Sequence, residues 1–253
     1  MIPIDLKGKT AIVTGASRGI GRGIALRLAE AGAAVAVNYS EHRDKAEEVV
    51  RAVRAKGGRA IAVGADVADE AQVQAMVERT ESELGPVDIM VANAGYTTVA
   101  ATAELDLATW QRLIDVNLTG AFLSARAIVP GMLARGGGRV IFISSTGAIT
   151  GGGGGPHYAA SKAGLTGLVR AMSRELAAKG ILVNAVAPTA IESDFLLDRY
   201  PDPADRKRLA DSVPVGRLGK PEDIGNVVAF LASELATFIS GQVLIADGGR
   251  TFK

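Results

Sequence analysis

Apolar residues along this chain gather in seven short runs: TAIVTG at 10–15, AAVAVN at 33–38, RAIAVG at 59–64, VDIMVANAG at 87–95, RVIFIS at 139–144, ILVNAVAP at 181–188 and QVLIAD at 242–247. The runs are continuous rather than alternating, which predicts strands buried on both faces, and the intervals between them are long enough for crossover helices. Those helices are stopped where a helix needs stopping, by Gly32 after IALRLAEA, by Gly57 and Gly58 after AEEVVRAVRAK, and by Gly85 with Pro86 after VQAMVERTESEL. Strand and helix in alternation predict an α/β fold, a doubly wound seven-stranded parallel sheet with helices on both faces. No linker, repeat or charge run divides residues 1–253, so one domain is expected. Two stretches break the rhythm. GGGGG at 151–155 reads as a flexible loop, and Pro201, Pro203 and Pro214 bracket a polar helical piece, ADRKRLADS, within a segment 189–215 that reads as a substrate lid.

Composition removes several classes of function. Lys and Arg number 28 against 27 for Asp and Glu, a formal charge of +1, so there is no electrostatic footprint for nucleic acid. Cysteine is absent, which excludes disulfides, thiolate metal sites and a cysteine nucleophile and suits a reducing cytoplasm. His42 and His157 are the only histidines and no G-x-S-x-G elbow precedes either, so neither a hydrolase triad nor a metal site is indicated. The start MIPIDLKGKTAIVTG has no basic segment followed by an apolar one, and no run approaches the roughly 18 apolar residues of a membrane span. A cytoplasmic protein with no membrane or nucleic-acid partner is expected.

Two motifs carry chemistry. The first strand ends in TGASRGIGRG, where Gly15, Gly19 and Gly21 permit a tight turn, close approach of backbone to a pyrophosphate and close helix-to-strand packing. The second is GPHYAASKAG. On a helix, Tyr158 and Lys162 stand four residues apart on one face, and an ammonium near a phenol favours phenolate. Taken alone, a Y-x-x-x-K is equally an unrelated pair on a surface helix, and Asn117 in WQRLIDVNLTGAFLSARAIV is equally a polar residue satisfied within its helix.

Together with Asp66-Val67, Asn93-Ala94-Gly95, Asn117 and Ser145, thirteen residues before Tyr158, these motifs resemble in their order those of the short-chain dehydrogenases/reductases, over nearly the whole chain. The resemblance implies a Rossmann fold that moves a hydride between nicotinamide and a carbonyl or alcohol. In it Tyr158 gives the carbonyl oxygen its proton, Lys162 stabilises the phenolate and holds the nicotinamide ribose, and the Ser145 hydroxyl polarises the carbonyl. The Asn117 amide would hold a water that relays protons from Lys162 to solvent. The implied cofactor contacts are Gly15, Ser17, Arg18, Gly19, Ile20 and Gly21; Asn38, Tyr39 and Ser40; Asp66 and Val67, the adenine contact; Asn93, Ala94 and Gly95; Tyr158 and Lys162; and Pro188, Thr189 and Ile191. The family's Pro-Gly after strand six is Pro188-Thr189 here, which alters the backbone beside the nicotinamide. His157 reads as a loop residue and Gly248–Gly249 as a turn.

The resemblance implies a small carbonyl or alcohol compound as substrate. Five glycines offer no side-chain wall, so selectivity falls to the lid and to Tyr96, Ile149, Thr189 and Phe195 around Ser145 and Tyr158. NLTGAFLSARAIVPGMLARGGGRVIFISS and the C-terminal stretch are similar to the 3-oxoacyl-[acyl-carrier-protein] reductases, and also to sugar, polyol and steroid dehydrogenases. A carrier-protein substrate calls for basic residues beside the pocket; Arg135, Arg139 and Lys179 are either these or plain solvated charges. A non-catalytic dinucleotide sensor is the rival class, against which the complete tetrad stands.

NAD-specific sites place an acid at the end of strand two, where this chain has neutral Asn38, then Tyr39 and Ser40. Arg18 can reach a 2′-phosphate from the glycine loop, with Arg43 as a weaker second and Glu41 opposing. NADP(H) is expected over NAD(H). A homotetramer is expected from the resemblance and from the small and apolar stretches 106–135 and 157–179.

Overall fold

The computed structural model describes residues 3–252, apart from the side chains of Phe195, Asp198 and Phe252. The apolar runs become strands β1 (Thr10–Val13), β2 (Ala34–Tyr39), β3 (Ala60–Gly64), β4 (Ile89–Ala92), β5 (Gly138–Ile143), β6 (Ile181–Pro188) and β7 (Val243–Ala246). Between them lie helices α1 (Gly19–Glu30), α2 (Arg43–Ala55), α3 (Glu70–Leu84), α4 (Leu107–Ile114), α5 (Gly120–Arg135), α6 (Gly147–Thr150), α7 (Pro156–Leu176), α8 (Asp194–Arg199), α9 (Pro203–Asp211) and α10 (Pro221–Ala232). All strand pairs are parallel, in the order β3-β2-β1-β4-β5-β6-β7. The order reverses between β1 and β4, and at such a switch point the flanking loops part to leave a crevice at the strands' C-terminal ends.

Side chains along a strand point alternately to the two faces. Ala11, Val13, Val35, Val37, Ile89 and Val91 pack with α1, α2 and α10 on one side; Ile12, Ala34, Ala36, Met90 and Ala92 pack with α3, α5 and α7 on the other. The helices bury matching stripes, as α2 does with Ala46, Val49, Val50 and Val53. Caps fix their starts: the Asp69 carboxylate accepts from the N–H groups of Ala71 and Gln72 at 2.9 and 3.1 Å, ahead of α3.

Two expectations are revised, for the run 87–95 and for His157, and two are given finer detail. The run 87–95 is strand only to Ala92, because residues beyond it pass the sheet edge. The stretch 110–129 is not one regular helix: α4 and α5 join through a π-turn, Asp115–Thr119, whose extra residue per turn carries Asn117 to the buried side. The segment 189–215 holds two helices, α8 and α9, and its base is tied to the body by a bridge between Ile191 and Gly219. His157 lies in the first turn of α7 and is fully buried, so it is not a loop residue.

Among the described residues, Leu107–Arg135 is the one helical stretch long and apolar enough to cross a membrane. Its Leu123, Ala125, Ile128 and Met132 are buried in the core against the sheet. No group of three His, Asp or Glu side chains among the described residues is placed to hold a metal ion.

Candidate active site

The β1–α1 turn lies at the switch point and leaves a helix end without a protein partner. Arg18 at the N-cap of α1 makes no side-chain cap and the first turn holds no acid, whereas α3, α4 and α9 are each capped by an aspartate. Free N–H groups and the positive end of the helix dipole are thus turned to the crevice, which suits a dinucleotide diphosphate. Gly21 is required by proximity: a Cβ there would lie 2.3 Å from the Gly15 carbonyl oxygen and 2.5 Å from Asn93 Nδ2. Arg18 is half exposed, with only a loose ion pair to Asp194 at 3.9 Å. Ser17 is buried beside it and Ile20 partly so.

Two asparagines expected at the cofactor are committed elsewhere. Asn38 is buried; its Oδ1 accepts from the Gly15 N–H at 3.0 Å, and its Nδ2 donates to the carbonyls of Val63 and Ala65 at 3.2 and 3.1 Å. Its side chain therefore ties the glycine loop to the end of β3; the residues that follow are Tyr39, lying over Gly64, and exposed Ser40. Asn93 Nδ2 likewise donates to the Thr14 and Gly15 carbonyls at 2.8 and 3.1 Å, leaving Ala94 and Gly95 to present backbone. Thr14 completes this knot, its hydroxyl oxygen accepting from the N–H groups of Asn93 and Ala94, both at 2.9 Å. Asp66 pairs with Arg112 at 2.8 Å and accepts from the Ala68 N–H at 3.0 Å. Burial pushes the Asp66 carboxyl up, but these hydrogen bonds outweigh it and hold it below the usual range. Val67 is buried against Gly120. Arg43 opens α2 and is exposed.

Ser145 follows β5, and α7 brings Tyr158 and Lys162 onto it. The phenol stands beside the Ser145 side chain, close enough to feel its hydroxyl, and Ser145 Oγ accepts from the Gly147 N–H at 3.0 Å. Lys162 is buried, and its Nζ donates to the Ile143 carbonyl at 2.9 Å. Burial pushes its pKa down from 10.5 to about 8. Burial also raises the Tyr158 phenol above 10, opposed only by the Ser145 hydroxyl. The ammonium lies 6.0 Å from the ring centroid, and at the phenol desolvation prevails.

Asn117 joins the cluster by a route that motif reading did not foresee. Its Oδ1 accepts from the Tyr96 N–H at 2.9 Å, while Nδ2 donates to the Tyr96 carbonyl at 2.8 Å and to Ser161 Oγ at 3.3 Å. Both amide protons are therefore engaged within the protein, and any water at this amide would have to donate to Oδ1. Ser161, in turn, donates to the Tyr158 carbonyl at 2.8 Å. It was missed because a serine among small helical residues has no signal of its own.

Around this cluster the glycine run is packed. Gly153 (φ 108°) lies against the Tyr158 ring, where a Cβ would come within 2.4 Å, so this segment is a fitted wall rather than a flexible loop. Tyr96 and Ile149 are exposed at the rim; Pro188 is buried, Thr189 accepts from Arg250 at 3.3 Å, and Ile191 is buried at the base of the 189–215 segment. Phe195 falls in α8, with its side chain outside the described residues. Arg135, Arg139 and Lys179 end α5, begin β5 and precede β6, which is the opposite edge of the sheet. Six residues of rise from Arg139 to Ser145 is about 20 Å, too far to flank the pocket.

A parallel sheet with an anion-ready helix end at its switch point, and a Ser–Tyr–Lys cluster beside it, defines an NAD(P)-dependent oxidoreductase acting between CH–OH and C=O. Residues 15–251 match the family model described as Enoyl-(Acyl carrier protein) reductase. The chain is 44% identical over 241 residues to the 3-oxoacyl-[acyl-carrier-protein] reductase FabG of Staphylococcus aureus, covering 95% of this chain and 97% of that protein. Among solved structures it is similar to a gluconate 5-dehydrogenase from Burkholderia cenocepacia J2315 in complex with NADP and tartrate, at TM-score 0.92 and 36% identity over 99% and 98% of the two chains. A 7α-hydroxysteroid dehydrogenase complexed with NADH and 7-oxo glycochenodeoxycholic acid matches at TM-score 0.91 and 37% identity, over 97% and 95%. The chain belongs to the short-chain dehydrogenase/reductase family.

The placement of Asn38 changes what its substitution does. Asn38→Asp puts a carboxylate against the Val63 and Ala65 carbonyls, so it should cost at least about 1–3 kcal/mol of stability. A thermal melt should show the loss, while the NADH-to-NADPH ratio of kcat/KM stays as in the wild type; an undiminished Tm would overturn the inward placement.

Proposed function

We propose that this protein is an NADPH-dependent reductase of 3-oxoacyl thioesters, the acyl group presented on a carrier. The observation that carries the reading is the meeting of Ser145, after β5, with Tyr158 and buried Lys162 on α7. When bound, NADPH supplies the hydride. The first turn of α1 and the Gly15–Gly21 loop hold its diphosphate, and Arg18 pairs with the 2′-phosphate. Ser145 donates to the carbonyl oxygen and Tyr158 gives that oxygen its proton. A phenol held above 10 is protonated near neutrality, the state that reduction needs. Lys162, near 8, is mostly ammonium at pH 7. It has three protons, of which Ile143 takes one, leaving two for the phenolate and a ribose hydroxyl. Asn117 positions the Tyr96 loop and Ser161, and residues 189–215 close over the substrate.

An acyl substrate is supported by the 44% identity to FabG and by the rim. The loops 95–103 and 144–156 contain no Asp, Glu, Lys, Arg or His, and expose Val99 and Ile149 at 75% and 63%. A gluconate-like sugar acid would leave its carboxylate unmatched by these two loops. The NADP(H) preference is supported by the absence of an acid at positions 39 and 40, which follow the inward-turned Asn38, and by the availability of Arg18; the likeness to both an NADP-bound and an NADH-bound structure leaves this preference to the local residues. We place the enzyme in the cytoplasm as a homotetramer paired through 106–135 and 157–179, a surface on which Phe122 and Leu133 are each 39% exposed.

With acetoacetyl-coenzyme A and NADPH, Tyr158→Phe should lose about 10²–10⁴-fold in kcat while NADPH still binds with wild-type Kd. More than a tenth of wild-type kcat in this variant would remove Tyr158 as the proton donor. Arg18→Ala should weaken NADPH by about ten- to a hundredfold, the equivalent of roughly 1.5–3 kcal/mol, and leave NADH nearly unchanged, as fluorescence titration would show. Light scattering at micromolar concentration should give four times the chain mass; a monomer would refute the assembly.

A further inference from the structure

His157, one residue before the catalytic-site tyrosine, has no exposed surface, and its Nε2 lies 2.8 Å from Thr98 Oγ1. Its Nδ1 is buried with no hydrogen-bond partner. An orphaned buried N–H costs more than an orphaned acceptor, and a lone pair is welcome at the positive end of α7, so the proton belongs on Nε2 and is donated to Thr98. This contact is one of several that lock the 97–100 segment to the glycine run. Thr97 Oγ1 donates to the Gly153 carbonyl at 2.8 Å and the Ala100 N–H to the Gly154 carbonyl at 3.0 Å. Gly153 in turn lies against the Cδ1–Cε1 edge of the Tyr158 ring, with Gly147 near the same edge, a Cβ there falling 3.2 Å from Tyr158 Cε1.

We propose that His157 is a positioning residue for Tyr158, acting through Thr98: the pair bolts the 97–100 segment onto the glycine wall, and that wall holds the phenol at Ser145. The inference rests on Tyr158 being the proton donor. It assigns a task to a buried imidazole that touches no reacting atom, and it explains why a wall made only of backbone can hold a ring in one place. The Nε2–Oγ1 contact supplies the side-chain anchor that glycines lack.

The test combines kinetics with a readout independent of turnover. With acetoacetyl-coenzyme A and NADPH, Thr98→Val should lower kcat about tenfold or more, since small misplacements of a reacting group are costly. NADPH Kd should stay near wild type, while Tm falls because the buried Nε2–H loses its acceptor. Thr98→Ser, which returns the hydroxyl, and His157→Gln, whose amide reaches the Nε2 position, should each recover at least half the activity. In a cycle with His157→Phe the double variant should be no worse than the poorer single. Should His157→Phe fail to fold, Thr98→Val and Thr98→Ser carry the kinetic comparison. Long-range ¹H–¹⁵N spectra should show His157 protonated on Nε2, with exposed His42 as internal reference, and Thr98→Val should disturb that tautomer. Wild-type kcat in Thr98→Val, losses that multiply in the double variant, or a proton found on Nδ1 would each overturn the proposal. If Tyr158→Phe is inactive while Thr98→Val is normal, only this inference falls; if Tyr158→Phe stays active, the functional reading falls first.

Discussion

Every strand of this sheet runs in the same direction, so all seven C-terminal ends and the loops leaving them must share one edge. A parallel ladder allows no hairpin return, and each connection crosses a face as a helix. The reversal of strand order between β1 and β4 then parts the loops at one point on that edge. The glycine loop, the Asn93–Gly95 turn, Ser145 and the 189–215 segment meet there because each follows one of the central strands. The same constraint sends Arg135, Arg139 and Lys179 to the far edge, whatever their charge suggests.

What makes the loops rigid is the cost of burying polar groups without partners. Asn38, Asn93 and Asn117 each sit where an amide would be orphaned, and each resolves this by bonding to the backbone of a neighbouring loop. Asn38 joins the glycine loop to β3, Asn93 joins it to β4, and Asn117 clasps both sides of Tyr96. The site is held by second-layer amides before any ligand arrives, which is the condition for a reacting group to be placed within a fraction of an ångström.

Electrostatically the site balances two desolvated groups. Burial alone shifts Lys162 down and Tyr158 up, each toward its neutral form. A phenol that keeps its proton and an amine still largely protonated at pH 7 are poised for donation to a carbonyl. The free end of α1 supplies positive potential without a side chain, and Arg18 adds an exposed cation whose ion pair to Asp194 is of the kind that is worth little.

The seven strands, their alternation with helices, the glycine loop after β1 and the Tyr158–Lys162 spacing were legible in the chain because each depends on a local period: continuous apolar runs, 3.6 residues per turn, or a turn that tolerates few side chains. The order of the motifs was enough to name residues that the fold brings to one edge of the sheet. Which way a polar side chain turns was not legible. Asn38 and Gly15 are 23 positions apart, Ala94 and Thr14 80, and Thr98 and His157 59, and their contacts exist only once the strand register has brought those positions together. The glycine run looked flexible in isolation and is packed in place by residues 97–100. Local pattern thus determined which elements form and in what order; the tertiary structure decided which groups face ligand and which face backbone, because that choice depends on neighbours distant in sequence and on the desolvation each buried group must offset.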